Sequence, residues 1–205
     1  KYDSESYRGY SPFARKTSLK NIVIGDSVTN IGAYAFYNCS ALTKISIPES
    51  VTNVGAYAFN GCYDLTSVYT KDLQSWCKIN FDNSTSNPTT YAHNLYVGGK
   101  KLTEITIPND VTSIGNYVFS NCSSISKVTI PSVVISIGSG AFSGCTALRS
   151  IVVPNTVTNI GEYAFSGCSK LNNLKIENGE NYINIGDDGF YNCPIDTLYI
   201  GRTIG

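Results

Sequence analysis

Apolar residues recur along this chain with two alternating spacings, one typical of strands and one typical of turns. In "KISI" (44–47) polar and apolar residues alternate with a period of two, which predicts a half-buried β-strand. A proline follows such segments at 48, 108, 131 and 154, and it ends the strand because it has no N–H to donate. "VTNIG" (28–32) predicts a second short strand, closed by a glycine suited to a turn. In "AYAFYNCSAL" (33–42) Ala, Phe, Cys and Leu lie about three residues apart, which predicts one or two tight helical turns.

This pattern repeats every 23 residues. "LTKISIPESVTNVGAYAFNGC" (42–62) recurs as "LTEITIPNDVTSIGNYVFSNC" (102–122), "ISKVTIPSVVISIGSGAFSGC" (125–145) and "LRSIVVPNTVTNIGEYAFSGC" (148–168). At the two ends the same positions recur with fewer matching residues: Gly9 and Phe13 near the start and, after a 25-residue step, Phe190 and Cys193 near the end. A unit of this size must stack on its neighbours to bury its apolar side. We therefore expect a repeat solenoid of roughly eight coils over residues 1–205, with parallel β ladders at about 4.8 Å per rung.

One coil is longer than the others. The step over 65–102 is 37 residues instead of 23, an insertion of 14. "DLQSWCKINF" (72–81) has helical spacing, and its first residue suits an N-cap, so we expect an amphipathic helix that lays Trp76 on the solenoid. "DNSTSNPTT" (82–90) predicts a polar loop, and "NLYVGGKKL" (94–102) a strand, a Gly-Gly turn and a return to the repeat. A structural variant coil is favoured over a grafted binding site, although a long loop is where local specificity can reside.

The strand motif L-x-x-I-x-I-P, the turn motif I-G-x-x-A-F-x-x-C and the constant step together resemble the leucine-rich repeats and, within them, the BspA-like family. The resemblance runs from about residue 9 to 201. It implies a right-handed leucine-rich-repeat superhelix with parallel β ladders and short helical or 3-10 turns. Members of that family are secreted or surface-anchored proteins, mostly of anaerobic oral and gut bacteria, whose known roles are adhesion to host proteins or other protein binding. The family has no catalytic motif, so the resemblance implies no catalytic residue and no cofactor.

The charge composition of the chain further limits the classes of binding partner. Charged residues make up 15% of the chain, and 15 Lys and Arg balance 15 Asp and Glu. Zero net charge argues against nucleic acid or an anionic membrane as the main partner, because both require clustered basic residues. No apolar run is long enough to span a membrane. "KYDSESYRGY" (1–10) has neither a signal peptide nor a starting Met, and "GRTIG" (201–205) ends in mid-repeat, so we expect a fragment of a longer protein.

Six of the seven cysteines occupy one repeat position. A nucleophile needs a nearby base, yet the one histidine, His93, has no acid, cysteine or serine at motif spacing, and a structural role is expected for it. Zinc ligands come in close pairs, and no C-x-x-C occurs. Disulfide bonds between neighbouring coils remain the main alternative, because stacked rungs bring Cα atoms within about 5 Å of each other. However, the cysteine side chains of a ladder point the same way, which does not suit the roughly 90° dihedral of an S–S bond. Burial as small apolar residues is favoured. Asp187 and Asp188 adjoin a turn and are expected to be solvated.

The outward positions of the predicted strands are the best binding candidates. Stacked, they form two nearly neutral rows, one from Asn21 to Thr197 and one from Val23 to Tyr199. Solenoids usually bind proteins on a concave sheet, although an ordinary solvated sheet is the alternative for any one residue. A further row of Tyr34, Tyr57, Tyr117 and Tyr163 is expected to pack coil to coil, with sugar or protein contact as the alternative. The candidate ligand-binding residues are Lys44, Ser46, Tyr69, Glu104, Thr106, Lys127, Thr129, Lys175 and Tyr199.

The leading hypothesis is a non-enzymatic, secreted or cell-surface binding module. It engages a protein, such as a host extracellular-matrix or plasma protein, through the concave sheet; a glycan is the second ligand class. The alternative is a structural spacer that presents a neighbouring enzymatic or glycan-binding domain. An enzyme ranks third, because the sequence offers no acid–base constellation. Changing Lys44, Tyr69, Lys127 and Tyr199 together should abolish ligand binding under the first hypothesis and have no effect under the second.

Overall fold

The computed structural model describes residues 11–205, which form a parallel β-solenoid of about eight turns. The predicted fold class is therefore confirmed, while segment 1–10, with the expected register position of Gly9, lies outside the described residues. In chain order the elements are β1 (Asn21–Ile22), β2 (Asn30–Ile31), β3 (Lys44–Ser46), β4 (Asn53–Val54), β5 (Ser67–Thr70), α1 (Leu73–Cys77), β6 (Asn80–Phe81), α2 (Thr89–Ala92), β7 (Leu95–Val97), β8 (Lys100–Lys101), β9 (Glu104–Thr106), β10 (Ser113–Ile114), β11 (Lys127–Thr129), β12 (Ser136–Ile137), β13 (Ser150–Val153), β14 (Asn159–Ile160), β15 (Asn173–Ile176), β16 (Asn184–Ile185) and β17 (Thr197–Ile200).

Two parallel ladders run along the solenoid. The predicted strands before each proline form the first ladder, in which Lys44 lies opposite Asn21 on one side and Ser67 on the other. The "VTNIG" segments form the second ladder, as β2–β4–β6 and as β10–β12–β14–β16. Alternate strand residues, such as Ile45 and Ile151, point into one continuous apolar core. The period-two reading of the sequence therefore placed the core residues correctly.

The segments between the ladders are consecutive hydrogen-bonded turns. The N–H of Ala35 donates to the carbonyl of Gly32 (3.2 Å), and the N–H of Cys39 donates to Phe36 (3.2 Å). These turns do not merge into a helix because Tyr34, between them, has a left-handed φ of 57°. Among residues 11–205 the only helices are α1 and α2. The left-handed conformation recurs at the equivalent residues Tyr57, Tyr117, Gly140, Tyr163 and Asp188.

The glycine that ends the second strand of a coil serves close stacking at Gly55, Gly138, Gly161 and Gly186, rather than the turn. Neither Gly55 nor Gly161 has a positive φ. A Cβ on Gly55 would lie 2.5 Å from the backbone nitrogen of Ala33, and one on Gly161 would lie 2.5 Å from that of Ser139. The expectation that this glycine bends the chain is therefore wrong: the unusual φ falls two residues later, and glycine is needed because the preceding coil leaves no room for a side chain.

Aromatic rings continue the core from coil to coil. The rings of Phe119 and Phe142 stack with centroids 5.3 Å apart, and those of Phe142 and Phe165 with centroids 5.2 Å apart. The long coil interrupts this column, and there Trp76 and Phe81 pack with ring centroids 5.5 Å apart. The insertion thus provides the aromatic side chains that fill the core of the long coil.

The first part of the long coil is the predicted helix. Asp72 caps α1 and accepts a 2.8 Å hydrogen bond from the N–H of Ser75, and the fully buried Trp76 donates its indole N–H to the carbonyl of Val118 (2.9 Å). The helix ends at Cys77, however, and not at residue 81. Residues 80 and 81 form β6 because Phe81 takes a core position of the second ladder, which requires extended backbone.

The expected polar loop at 82–90 is observed as far as Pro88, after which Thr89 begins α2, and several of its side chains are buried hydrogen-bonding groups. Asn87 and Thr89 are completely inaccessible to solvent. On one side the loop accepts from the preceding coil: the carboxylate of Asp82 accepts from the N–H of Ala56 (3.1 Å). The carbonyl of Thr85 likewise accepts from Phe59 (3.3 Å). The loop therefore stands in for the turn that the long coil lacks.

On the other side the long coil donates to the following coil through side chains. In regular coils a backbone N–H makes this contact, as from Phe119 to the carbonyl of Ala141 (2.8 Å). Here the Asn87 side-chain amide donates to Val118 (3.1 Å), and the Thr89 hydroxyl donates to Ser120 (2.8 Å). Because buried carbonyls need donors, these side chains replace the missing backbone N–H groups. The long coil is thus a structural variant of the repeat.

The predicted hairpin completes the long coil. β7 and β8 are antiparallel, with Tyr96 opposite Lys101, and both turn glycines, Gly98 and Gly99, have positive φ. β7 extends the first ladder from β5, but β8 turns back along it. The next strand, β9, therefore begins a new parallel pair with β11 instead of continuing the ladder.

Candidate binding surface

We call the outward side of the first ladder the sheet face. All nine predicted residues lie on it: eight are exposed and Tyr69 is half-buried. Their strand neighbours, such as Ile45 and Ile105, are buried, so the predicted alternation of outward and inward positions is observed. Their part in ligand binding stays a prediction. The nine residues fall into three groups along the solenoid.

The first group surrounds a pair of stacked tyrosines. Lys44 and Ser46 lie on β3, and Ser46 is opposite Tyr69, which is in turn opposite Tyr96. The rings of Tyr69 and Tyr96 stack with centroids 4.8 Å apart. The predicted row passed directly from Tyr69 to Thr106 and missed Tyr96, because the long coil breaks the 23-residue count. The alternation in "NLYV" was the signal that could have identified it.

The second group lies on β9 and β11. Lys127 is directly opposite Glu104, and Thr129 is opposite Thr106. Opposite charges facing each other across a strand pair are modestly stabilising. This patch is therefore polar and locally neutral.

The third group lies on β13, β15 and β17. Lys175 is opposite Val152 on one side and Tyr199 on the other, and its ammonium group lies 6.0 Å from the centre of the Tyr199 ring. The Tyr199 hydroxyl donates to the side chain of Asn178 (2.7 Å). A cation over an aromatic ring at this distance is at the limit of a favourable contact.

The predicted continuous rows are wrong in one respect, because the first ladder is broken twice. The β7–β8 hairpin separates the first group from the second. The second and third groups are separated because β11 and β13, although they lie in adjacent coils, are not paired as neighbouring strands of one sheet. Val23, which begins one predicted row, lies after the end of β1 and is 94% exposed.

The outward faces of the two ladders use their polar groups differently. On the second ladder the Asn53 amide donates to Asn30 (2.8 Å), and the Asn80 amide donates to Asn53 (2.9 Å). On the sheet face the side chains of Lys44 and Thr129 form no hydrogen bond within the part of the chain that the structure describes, as is also true of Ser46, Glu104, Thr106 and Lys127. The sheet face therefore holds polar groups that a partner can engage.

The cysteines form a column of buried thiols. All seven are free, and five of the six at the repeat position are buried, so the predicted role as small core residues is confirmed for those five, whereas Cys193 is half-buried. The structure adds a reason for cysteine at this position: the Cys62 thiol donates to the carbonyl of Phe36 (3.3 Å), and the Cys145 thiol donates to Phe119 (3.3 Å). Burial raises the pKa of the Cys62 thiol to about 12. Such thiols stay protonated and are poor nucleophiles.

The remaining predicted residues have structural positions. His93 ends α2 with a φ of 57°, and its backbone N–H donates to Thr89 (2.9 Å), so it acts through its backbone. Asp187 and Asp188 are exposed, as expected. The tyrosine row packs in part. The rings of Tyr34 and Tyr57 stack 5.2 Å apart, whereas Tyr163 remains 48% exposed.

The described residues hold neither a cluster of metal-binding side chains nor a helix that could cross a membrane. Within residues 11–205 no three or more His, Cys, Asp or Glu side chains converge as a metal site would require. None of the helices in this part of the chain has the length and apolar character needed to cross a lipid bilayer.

Stacked coils, parallel ladders and an outward polar sheet face define this protein as a leucine-rich-repeat solenoid. The chain belongs to the family of BspA-type leucine-rich repeat regions, whose pattern it matches in six copies over residues 7–96 and 89–205. The family resemblance carried by the strand and turn motifs is therefore confirmed. Repeats of this type occur in bacterial surface proteins. No curated protein shows significant sequence similarity to the chain.

Several solved structures are similar to it. A leucine-rich repeat protein from Bacteroides ovatus is 31% identical with a TM-score of 0.56, over 91% of this chain and 44% of that one. The T. pallidum leucine-rich repeat protein is 28% identical with a TM-score of 0.49, over 85% of this chain and 78% of that one. A leucine-rich cell surface protein from Faecalibacterium prausnitzii is 20% identical with a TM-score of 0.35, over 93% of this chain and 70% of that one. The chain thus spans less than half the length of the Bacteroides ovatus protein.

Proposed function

We propose that this chain is a non-enzymatic protein-binding module that uses the sheet face, and that it acts outside the cell as a secreted or surface protein. We also treat residues 1–205 as one leucine-rich-repeat domain of a longer protein. One observation carries the proposal: polar side chains of the sheet face, such as those of Lys44, Glu104 and Lys127, form no hydrogen bond or ion pair within the described residues, whereas the second ladder pairs its own amides. Leucine-rich-repeat domains usually mediate protein interactions, which supports the same assignment.

The contact residues fit a protein ligand. Tyrosine is among the residues that dominate binding energy at protein interfaces, and the sheet face offers the stacked Tyr69 and Tyr96, with the exposed Lys44 on the neighbouring β3. Lys127 and Lys175 extend the surface toward the other end. We propose a host extracellular-matrix or plasma protein as the ligand, with a glycan as the second class to be tested.

The test is binding of the chain to immobilised matrix proteins, plasma proteins and glycans. A variant with Lys44, Tyr69, Lys127 and Tyr199 changed to alanine should bind at least tenfold more weakly than the wild type. The matched control changes two lysines and two tyrosines that are exposed away from the sheet face, namely Lys16, Lys170, Tyr63 and Tyr182. Unchanged binding by the first variant, or equal loss in the control, would refute the sheet face as the binding site. The spacer hypothesis would then be the better account.

A further inference from the structure

The break between β11 and β13 opens a groove in the sheet face, which we call the seam. Its cavity volume is about 340 Å³, within the range of peptide and small-ligand sites. Thr129 and Val152 lie on its two walls, and Val128 and Ile130 form its floor. These two floor residues are each 7% exposed, whereas the equivalent Ile151 and Val153 of the next coil are 1% and 0% exposed. The seam therefore gives a partner access to the apolar core.

The walls of the seam carry backbone groups without a ladder partner. Along a parallel strand, successive residues direct their backbone groups to opposite neighbours. Thr129 accepts from Ile107 of the coil below, so the N–H and C=O of Val128 face the seam. The carbonyl of Val153 accepts a hydrogen bond from the N–H of Glu177 in the coil above, so the N–H and C=O of Val152 face the seam from the other wall. The missing rung is local, because β12 and β14 of the second ladder remain paired in the same two coils.

The seam has opposite charges at its two ends. Lys127 begins β11, and Glu177 follows the last residue of β15. In the register of the ladder these two positions are four residues apart, about 13 Å along the strand direction, and Glu177 lies one coil beyond β13, so the two charges face each other diagonally across the seam. Arg202 also lies near Glu177, but its guanidinium donates to the carbonyls of Pro154 and Asn155. The groove thus presents a cation, an apolar floor and a carboxylate, in that order.

We propose that the seam docks an extended segment of the protein partner with the pattern acidic–x–apolar–x–basic. Side chains at positions one, three and five of an extended chain point to the same side, so they enter the groove together. The acidic side chain faces Lys127, the apolar one contacts Val128, and the basic one faces Glu177. The Cα atoms of β11 and β13 still approach within 8 Å, too close for a complete extra strand, so the segment lies along the mouth of the seam. This inference rests on the proposed function and names the place where the sheet face grips its partner.

A display library of random linear twelve-residue peptides is the probe. Selection against the whole chain should enrich peptides with the acidic–x–apolar–x–basic pattern. These peptides should bind at least tenfold more weakly to Val152→Glu, which fills the groove and places its carboxylate opposite Lys175. The double variant Lys127→Glu/Glu177→Lys should lose them as well, and should instead bind synthetic peptides with the charges reversed. Lys170→Glu, at an exposed lysine away from the sheet face, is the control and should change nothing. Lys44→Glu, at the equivalent position of a closed rung, reports whether the peptides bind elsewhere on the sheet face.

Each other outcome overturns the seam as a docking site. If the enriched peptides bind Val152→Glu as well as the wild type, they do not use the groove. If they respond to Lys44→Glu and not to the seam variants, the sheet face binds peptides elsewhere, and the proposed function stands without the seam. If the library yields no binder, the seam fails as a peptide site, and the matrix-protein assay decides the proposed function independently.

Discussion

Replacing Thr89 with valine tests whether buried side-chain donors hold the long coil in the solenoid. Thr89 is fully buried, and its hydroxyl donates 2.8 Å to the carbonyl of Ser120. Valine has the same shape but no hydroxyl, so Thr89→Val leaves that carbonyl buried without its donor. The oxygen of Asn87, which also contacts the hydroxyl, keeps the backbone N–H of residue 89 as a donor (2.9 Å). One buried acceptor is therefore orphaned, which costs about 2 kcal/mol.

For a chain of this size that loss corresponds to a melting temperature lower by about 4–8 °C. The measurement is urea unfolding followed both by far-UV circular dichroism and by the fluorescence of Trp76, the one tryptophan of the chain, which lies in the same long coil. Coils of a solenoid contact only their neighbours, so a weakened coil can unfold separately from the rest. In the variant we expect the fluorescence transition to shift further than the circular dichroism transition.

Thr66→Val is the matched control. The Thr66 hydroxyl donates to the carbonyl of Thr43 (3.1 Å), but the N–H of Thr66 donates to the same carbonyl (3.0 Å), and the contact is exposed. No group is orphaned, and the expected cost is below about 0.5 kcal/mol. If Thr89→Val and Thr66→Val have equal stability, the side-chain donors of the long coil are not what joins it to the next coil.

Further predictions concern the thiol column and the left-handed turn positions. In the folded protein one thiol, Cys193, should react promptly with a thiol reagent because it is half-exposed, and the other six should react only after urea is added. Burial raises the pKa of the Cys62 thiol from 9.0 to about 12. The stabilisation that the buried neutral thiol provides is therefore complete below pH 9 and is lost as the pH rises toward 12. The urea midpoint of the wild type should fall between pH 8 and 10.5, and that of Cys62→Ala should fall less steeply. Gly140→Ala should lower the free energy of unfolding by about 2 kcal/mol, because φ is 59° and the new Cβ would lie 2.6 Å from the Tyr117 ring. Gly25 has open space around it, so Gly25→Ala should change stability by no more than about 0.5 kcal/mol. Thermal melts that fail to separate the two variants would contradict the steric argument.

Much of the fold could be predicted from the sequence because the repeat constrains each position several times. Alternation in "KISI" assigned Ile45 to the core and Lys44 to the surface, and the 23-residue step assigned their neighbours on the next rung. The helix after Asp72 was also predictable, since capping and apolar spacing act over a few residues. These features depend on contacts that recur or on contacts that are local in sequence.

Two features that the sequence did not reveal depend on a segment that is distant in sequence and not repeated. The segment at 82–90 is polar in composition and was expected to be a loop, yet Asn87 and Thr89 are buried because the carbonyls of Val118 and Ser120, about 30 residues later, lack backbone donors. Tyr96 joined the sheet face for a similar reason: the long coil shifted its position out of the 23-residue count. Neither effect leaves a periodic trace in the sequence.

By itself, the sequence determined the solenoid, its register and the sheet face, because a 23-residue unit can bury its isoleucines and phenylalanines only by stacking on identical neighbours. Only the tertiary structure decided how the coils are joined. It placed left-handed backbone at the tyrosines, directed thiols such as those of Cys62 and Cys145 at phenylalanine carbonyls and left β11 apart from β13. The physical reason is that such contacts depend on the exact separation of two coils, and equal spacing in sequence does not impose equal spacing between backbones.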